Sequence, residues 1–182
     1  MPTPDRTSLA EIVEAGRDIL ESAGAAGLTM QAVAVRVGVR APSLYKRVRS
    51  RDDLLALITA ATVRDLGTRL AAAGSTGDPR QDVALLIRAF RAYAHERPIG
   101  YGLIFGPVQP GTDYLGPAVE PVLRVAAALA GPEHALEAAR TLTAWAHGFV
   151  TMELAGAFNL GGDVEAAFTF GVDRLIDALA DH

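Results

Sequence analysis

Residues 29–55 read TMQAVAVRVGVRAPSLYKRVRSRDDLL, and the reading of this stretch decides the fold. Thr29 has a hydroxyl that can cap a short helix whose inward positions are Met30, Val33, Ala34 and Val37; Gly38 is the residue a tight turn with positive φ asks for. A second short helix follows at once, with Pro42 in its first turn and Leu44 and Val48 inward. Ser50 with Asp53 then forms a capping box that opens a long helix. Two short helices joined by a glycine turn, the second basic on its outer side, make the helix-turn-helix that lays a helix in the DNA major groove. With Leu44 and Val48 inward, Arg40, Ala41, Pro42, Ser43, Lys46 and Arg47 are left to meet base edges, and Tyr45 can offer its hydroxyl to a phosphate. Thr29 and Arg51 stand at helix N-termini, where phosphates are attracted.

The charge pattern agrees with that assignment. Residues 36–51 hold Arg36, Arg40, Lys46, Arg47, Arg49 and Arg51 and no acid. The net charge of the chain is -4, so the rest is an acidic body carrying a basic module. Outward from the motif the pattern is helical throughout. Before it, Leu9, Ile12, Val13, Gly16, Ile19, Leu20 and Ala23 line one helix face, opened by a Ser8–Glu11 capping box. After it, the long helix runs to about residue 73, and Asp78, Pro79 and Gln81 open another that runs through His95. Residues 98–117 carry four prolines and five glycines, which leaves one short helical turn at 101–105. Segments 118–130, 132–158 and 163–180 read as three more helices, and no strand alternation competes. Fifty per cent hydrophobic content without cysteine describes a globular chain, and no apolar run approaches the roughly 20 residues of a membrane span. Residues 1–11 lack the basic-then-apolar pattern of a secretory leader, so a cytoplasmic location is expected.

The 29–55 stretch resembles the DNA-binding signature of TetR-family (AcrR-like) transcriptional regulators, through Thr29, Gly38-Val39, Leu44-Tyr45, Ser50-Arg51-Asp52 and Leu54-Leu55. It departs from the family's usual pattern at Arg40, Arg47 and Val48, where that pattern has Ser or Thr, His and Phe. Trp145-Ala-His147-Gly148-Phe149, with Met152-Glu153 close behind, resembles one C-terminal type of the family. The resemblance implies an all-α fold of about nine helices, with a helix-turn-helix DNA-binding domain over 1–52 and a helical ligand-binding and dimerisation domain over 53–182. It further implies a homodimeric repressor that binds double-stranded operator DNA and is released by a small apolar or amphipathic effector. The alternative is a helical small-molecule-binding protein without DNA function.

In the second half, Trp145, Gly148, Phe149 and Met152 share a helix face, whereas His147 lies about 200° round from Trp145. Small residues at Thr141, Ala144, Gly148, Thr151 and Ala155 form a stripe that admits a close helix neighbour, and the last helix offers Val164, Phe168, Gly171, Val172, Leu175 and Leu179. The dimer interface is therefore expected at Gly148, Thr151, Ala155, Phe168, Gly171, Val172 and Leu175. The expected ligand lining is Phe90, Tyr93, Tyr101, Phe105, Trp145, Phe149 and Met152, with Gly148 as a small wall residue. Glu153, between Met152 and Leu154, needs a partner if buried, and several are possible. The four histidines are scattered, and neither H-x-x-x-H, G-x-G-x-x-G nor G-x-S-x-G occurs. No metal, cofactor or enzyme activity is expected.

Overall fold

The computed structural model describes residues 7–74, 76–106 and 114–180, and these contain nine α-helices and no strand. They form two compact units: Met1–Val63 with Arg97–Tyr114, and Arg64–Glu96 with Leu115–His182. The boundary expected after residue 52 thus lies about three helical turns further on, inside one continuous helix, and the first unit reclaims a segment from the middle of the chain. The physical reason is apolar continuity: Leu54, Leu55 and Ile58 belong to the same buried cluster as Ile12, Leu20 and Leu28.

The first unit is built from α1 (Leu9–Gly27), α2 (Met30–Arg36), α3 (Ala41–Leu44), the start of α4 (Arg51–Ala73) and α6 (Pro98–Ile104). The Ser8–Glu11 capping box opens α1, with Oγ of Ser8 accepting from the Glu11 amide at 3.1 Å and the Glu11 carboxylate accepting from the Ser8 amide at 2.6 Å. Gly16 lets α1 lie against α4, because a Cβ there would stand 2.8 Å from Cδ1 of Ile58. Near its end α1 is broken at Gly24, whose φ of 69° only glycine adopts without strain. Where one helical turn at 101–105 was expected, α6 begins three residues earlier on Pro98. The sequence reading lacked its cap: Glu21 of α1 accepts from the amides of Ile99 (3.2 Å) and Gly100 (2.7 Å), a remote substitute for a local N-cap.

The second unit holds the rest of α4, α5 (Pro79–Glu96), α7 (Gly116–Ala130), α8 (Ala135–Leu154) and α9 (Val164–Ala180), with a 3-10 turn at Pro132–His134. Helix α5 packs against α7, α8 and α9 around Val83, Ile87, Tyr93, Val125, Leu142, Val150, Phe168 and Val172. Asp78 caps α5 as expected, but the reach-back comes from Asp82 and not Gln81: its carboxylate accepts from the Thr76 amide and hydroxyl, each at 2.6 Å, and is held below its ordinary pKa by them. Helix α7 tolerates Pro121 beyond its first turn. Proline there cannot donate to the Pro117 carbonyl, and that carbonyl faces Gly67 so closely that a Cβ on Gly67 would collide with it.

Candidate nucleic-acid interface

The helix-turn-helix forms for local reasons. Oγ1 of Thr29 accepts from the Ala32 amide at 3.1 Å and starts α2. Its end is closed by Gly38, at φ 72°, and by the Val39 amide donating back to the Ala34 carbonyl at 2.9 Å. Helix α3 itself is one turn long, but the Leu44 carbonyl accepts from the amides of Arg47 (2.8 Å) and Val48 (2.9 Å), so helical bonding carries on to Val48. Leu44 and Val48 are buried, as their spacing requires. That leaves Arg40, Pro42, Ser43, Tyr45, Lys46 and Arg47 exposed and Ala41 half-buried; Thr29, at the start of α2, is exposed as well. Ser50 accepts from the Asp53 amide at 3.1 Å to open α4, while Asp53 reaches one residue past the expected box, to the Arg49 amide at 2.8 Å.

The six cations of the 36–51 run divide by what they touch. Arg36 pairs with Asp18 at 3.1 Å. Arg51 was expected at a phosphate, yet its Nε donates to the Leu28 carbonyl at 2.8 Å and its Nη2 to the Ala25 carbonyl at 2.5 Å. Among the described residues, the side chains of Arg40, Lys46 and Arg49 have no hydrogen-bond or ion-pair partner. Lys46 is also the only lysine of the chain.

The second-half expectations divide as well. Gly148, Thr151 and Ala155 are exposed, and a Cβ on Gly148 would meet nothing within 4 Å. Gly148 is therefore not a wall residue of an interior pocket. Phe168 and Val172 are fully buried inside the chain and cannot touch a second copy; Phe168 lies against Arg91 of α5 and the Trp145 and Phe149 rings of α8. Gly171 is also used internally, since a Cβ there would collide with the Trp145 ring. Leu175 is half-buried. Of the expected ligand residues, Phe90, Tyr93 and Tyr101 are buried, Trp145 and Phe149 half-buried, and Phe105 and Met152 exposed. In the first unit the Tyr101 and Phe105 rings lie 5.5 Å apart, and in the second Trp145, Phe149, Phe158 and Phe168 are joined by ring contacts of 4.7 to 5.6 Å. His147 is half-buried, and desolvation lowers its pKa.

One polar constellation escaped the sequence reading. Glu153 accepts from Nε (2.8 Å) and Nη2 (2.6 Å) of Arg91 and contacts Nε2 of His95 at 2.9 Å; Arg91 also pairs with Glu165 and lies over the Phe168 ring at 4.3 Å. The Arg91 hydrogen bonds, and after them those of His95, hold the Glu153 carboxyl down at about 2 against the burial that would raise it. The available signal was the i, i+4 spacing of Arg91 and His95 on one face of α5.

A helix-turn-helix with exposed cations on its outer face, followed by a helical body, defines a DNA-binding regulator. Residues 12–58 match the family model described as bacterial regulatory proteins, tetR family, and residues 83–175 match the tetracyclin repressor-like C-terminal domain. The chain is similar to an uncharacterized HTH-type transcriptional regulator of Mycobacterium tuberculosis, Rv0681, at 33% identity over 94% of this chain and 81% of that one. Among solved structures it is similar to the regulatory protein SCO4313 (30% identity, TM-score 0.75, 92% and 94% of the two chains). Its fold is also that of a single-residue variant of TetR from Acinetobacter baumannii AYE in complex with minocycline (24% identity, TM-score 0.70, 94% and 96%). The chain belongs to the tetR family and is a DNA-binding transcriptional regulator. Among the described residues no helix is long and apolar enough to cross a membrane, and no group of three acidic or histidine side chains could hold a metal ion.

Proposed function

We propose that this regulator is a homodimeric cytoplasmic repressor whose two helix-turn-helices enter successive major grooves and whose operator affinity falls when an apolar or amphipathic effector binds the C-terminal domain. The observation that carries the DNA half is the set of side chains of Arg40, Lys46 and Arg49, without a partner among the described residues, around the buried Leu44 and Val48. In this reading Arg40, Ala41, Pro42, Ser43, Lys46 and Arg47 meet base edges, and Thr29 and Tyr45 meet phosphates. The dimer reading rests on exposed Ala144, Gly148, Thr151 and Met152 on one face of α8, with exposed Ala155 at its C-cap, and on exposed Ala167 and Phe170 of α9, the latter 68% exposed. Small residues there allow two helix pairs to approach closely, as a four-helix interface requires. The effector reading draws on the minocycline bound by the A. baumannii protein and on the half-buried rings of Trp145 and Phe149. No catalytic role is proposed.

Selection from a random duplex library tests the reading. The expected product is a pseudo-palindrome with half-sites about 34 to 36 Å apart, one or more helical turns. Because Lys46 is the only lysine, amine acetylation reports on one side chain apart from the chain terminus, and the selected duplex should protect it. An unenriched library, or Lys46 acetylated equally with and without duplex, would refute the assignment. The dimer is tested by light scattering on Gly148→Glu, which should give a folded monomer; an unaltered dimer moves the interface elsewhere. Trp145 is the only tryptophan, so its emission reports the proposed effector region. Compounds that shift it should also release the duplex, and a shift without release removes the effector role from this region.

A further inference from the structure

Arg51 opens α4, yet its guanidinium is turned back onto the end of α1. The Ala25 and Leu28 carbonyls lie beyond the break at Gly24, where a helix end leaves acceptors without intrahelical donors and where a positive charge is favoured. The Nε and Nη2 pair is the bidentate edge of the guanidinium, and here it is committed to two main-chain carbonyls three residues apart. Leu28, fully buried, immediately precedes Thr29, the residue that caps α2. The residue before the α2 cap and the last turn of α1 are thus each tied by one hydrogen bond to the first residue of α4, and the Ser50 cap fixes that residue directly after the α3 segment.

We infer that Arg51 is a positioning residue for DNA recognition: it sets the first helix of the helix-turn-helix against α4 by clamping the Ala25 and Leu28 carbonyls, and it does not neutralise a phosphate. A clamp and a phosphate contact differ in three measurable ways. Removing a phosphate contact makes the slope of log K against log salt shallower by about 0.9 per subunit and lowers affinity for every sequence alike. Removing a clamp leaves the slope alone, loosens α2 before any DNA is added, and erodes discrimination between sequences. Lysine also separates the two, since it keeps the charge and lacks the planar fork.

The experiment compares wild type with Arg51→Lys and Arg51→Ala in the full chain. Hydrogen exchange over residues 28–36 is measured without DNA, and salt-dependent binding is measured to the selected duplex and to a mixed-sequence duplex. The exchange arm does not depend on the proposed operator reading, so a failure of that reading and a failure of the clamp are distinguishable. The expected result is exchange over 28–36 at least tenfold faster in both variants, a slope on mixed-sequence duplex equal to wild type, and a tenfold or greater fall in the ratio of selected to mixed affinity. If Arg51→Ala fails to fold, Arg51→Lys carries the measurement. Wild-type exchange in Arg51→Lys, or a slope shallower by about 0.9 per subunit in Arg51→Ala, overturns the clamp.

Discussion

The segment around α3 and the α5–α8–α9 cluster both concentrate arginine, and they treat its charge in opposite ways. Arg40 and Arg49, like Lys46, have no side-chain partner among the described residues, so their charge faces water. Arg91 is 16% exposed and is satisfied by Glu153 and Glu165 and by the face of Phe168. An unpaired surface cation contributes little to folding but keeps its charge for a polyanion, whereas a paired, desolvated cation holds helices together and has nothing left to offer a ligand. Composition alone does not separate these roles. What separates them is whether an acid from another element reaches the guanidinium, as Glu153 does from sixty-two residues away.

The largest expected effect breaks the comparison on its open side. Replacing Arg40, Lys46 and Arg49 together with alanine should cost at least about 4 kcal/mol of duplex affinity for the dimer, and flatten the salt slope by about 0.9 for each phosphate no longer neutralised. The same triple variant should unfold within about 0.5 kcal/mol of wild type, because none of the three side chains has a partner among the described residues. Binding isotherms over a salt series and urea melts measure the two halves. A destabilised triple variant would mean that these cations serve the fold after all.

On the closed side, Glu153→Ala leaves Arg91 over an aromatic ring with Glu165 as its remaining carboxylate. A loss of about 2 to 3 kcal/mol in a urea melt is expected, with duplex affinity per folded protein unaltered. A melt within error of wild type would show that the cluster is decoration. Acid sharpens the same point. The folded Glu153 carboxyl titrates at about 2, below its ordinary 4.5, so its contribution is complete above about pH 4.5 and is lost as pH falls towards 2. Wild type should therefore lose more stability than Glu153→Gln between pH 5 and 3, and parallel losses would remove the carboxylate from the account.

The two regions were also unequally legible. The helix-turn-helix could be read because its signals are local: Thr29 capping three residues on, Gly38 in a turn, Leu44 and Val48 four apart on one face. Each of these joins residues within four positions of one another, and the all-α fold follows from the same kind of signal. What the sequence hid is long-range. Glu21 capping α6, Glu153 choosing Arg91, and Arg51 bonding α1 carbonyls all join residues more than twenty apart, and several equally plausible partners existed for each. The face of α9 was misread for a related reason. Phe168, Gly171 and Val172 recur at helical spacing whether the face meets the same chain or a second copy, and only the burial of Phe168 and Val172 and the Trp145 ring against Gly171 decide for the former.

The smallest effect concerns the cation of the basic run that straddles both categories. Arg36 pairs with Asp18 across two helices at 3.1 Å, but the two side chains are 57% and 43% exposed. Water and salt screen such a pair, so a double-mutant cycle through Arg36→Gln and Asp18→Asn should give a coupling of no more than about 0.5 kcal/mol in the melt. The binding side should move in opposite directions for the two single variants. Asp18→Asn removes an acid from the same unit as the recognition segment and should tighten duplex binding up to about threefold at low salt, while Arg36→Gln should weaken it by a similar factor. Both changes should vanish at high ionic strength, because they act through the field and not through contact. If Arg36→Gln instead costs tenfold or more and the loss persists in high salt, Arg36 leaves Asp18 to touch the nucleic acid, and the partition between paired and open cations must be redrawn with Arg36 on the open side.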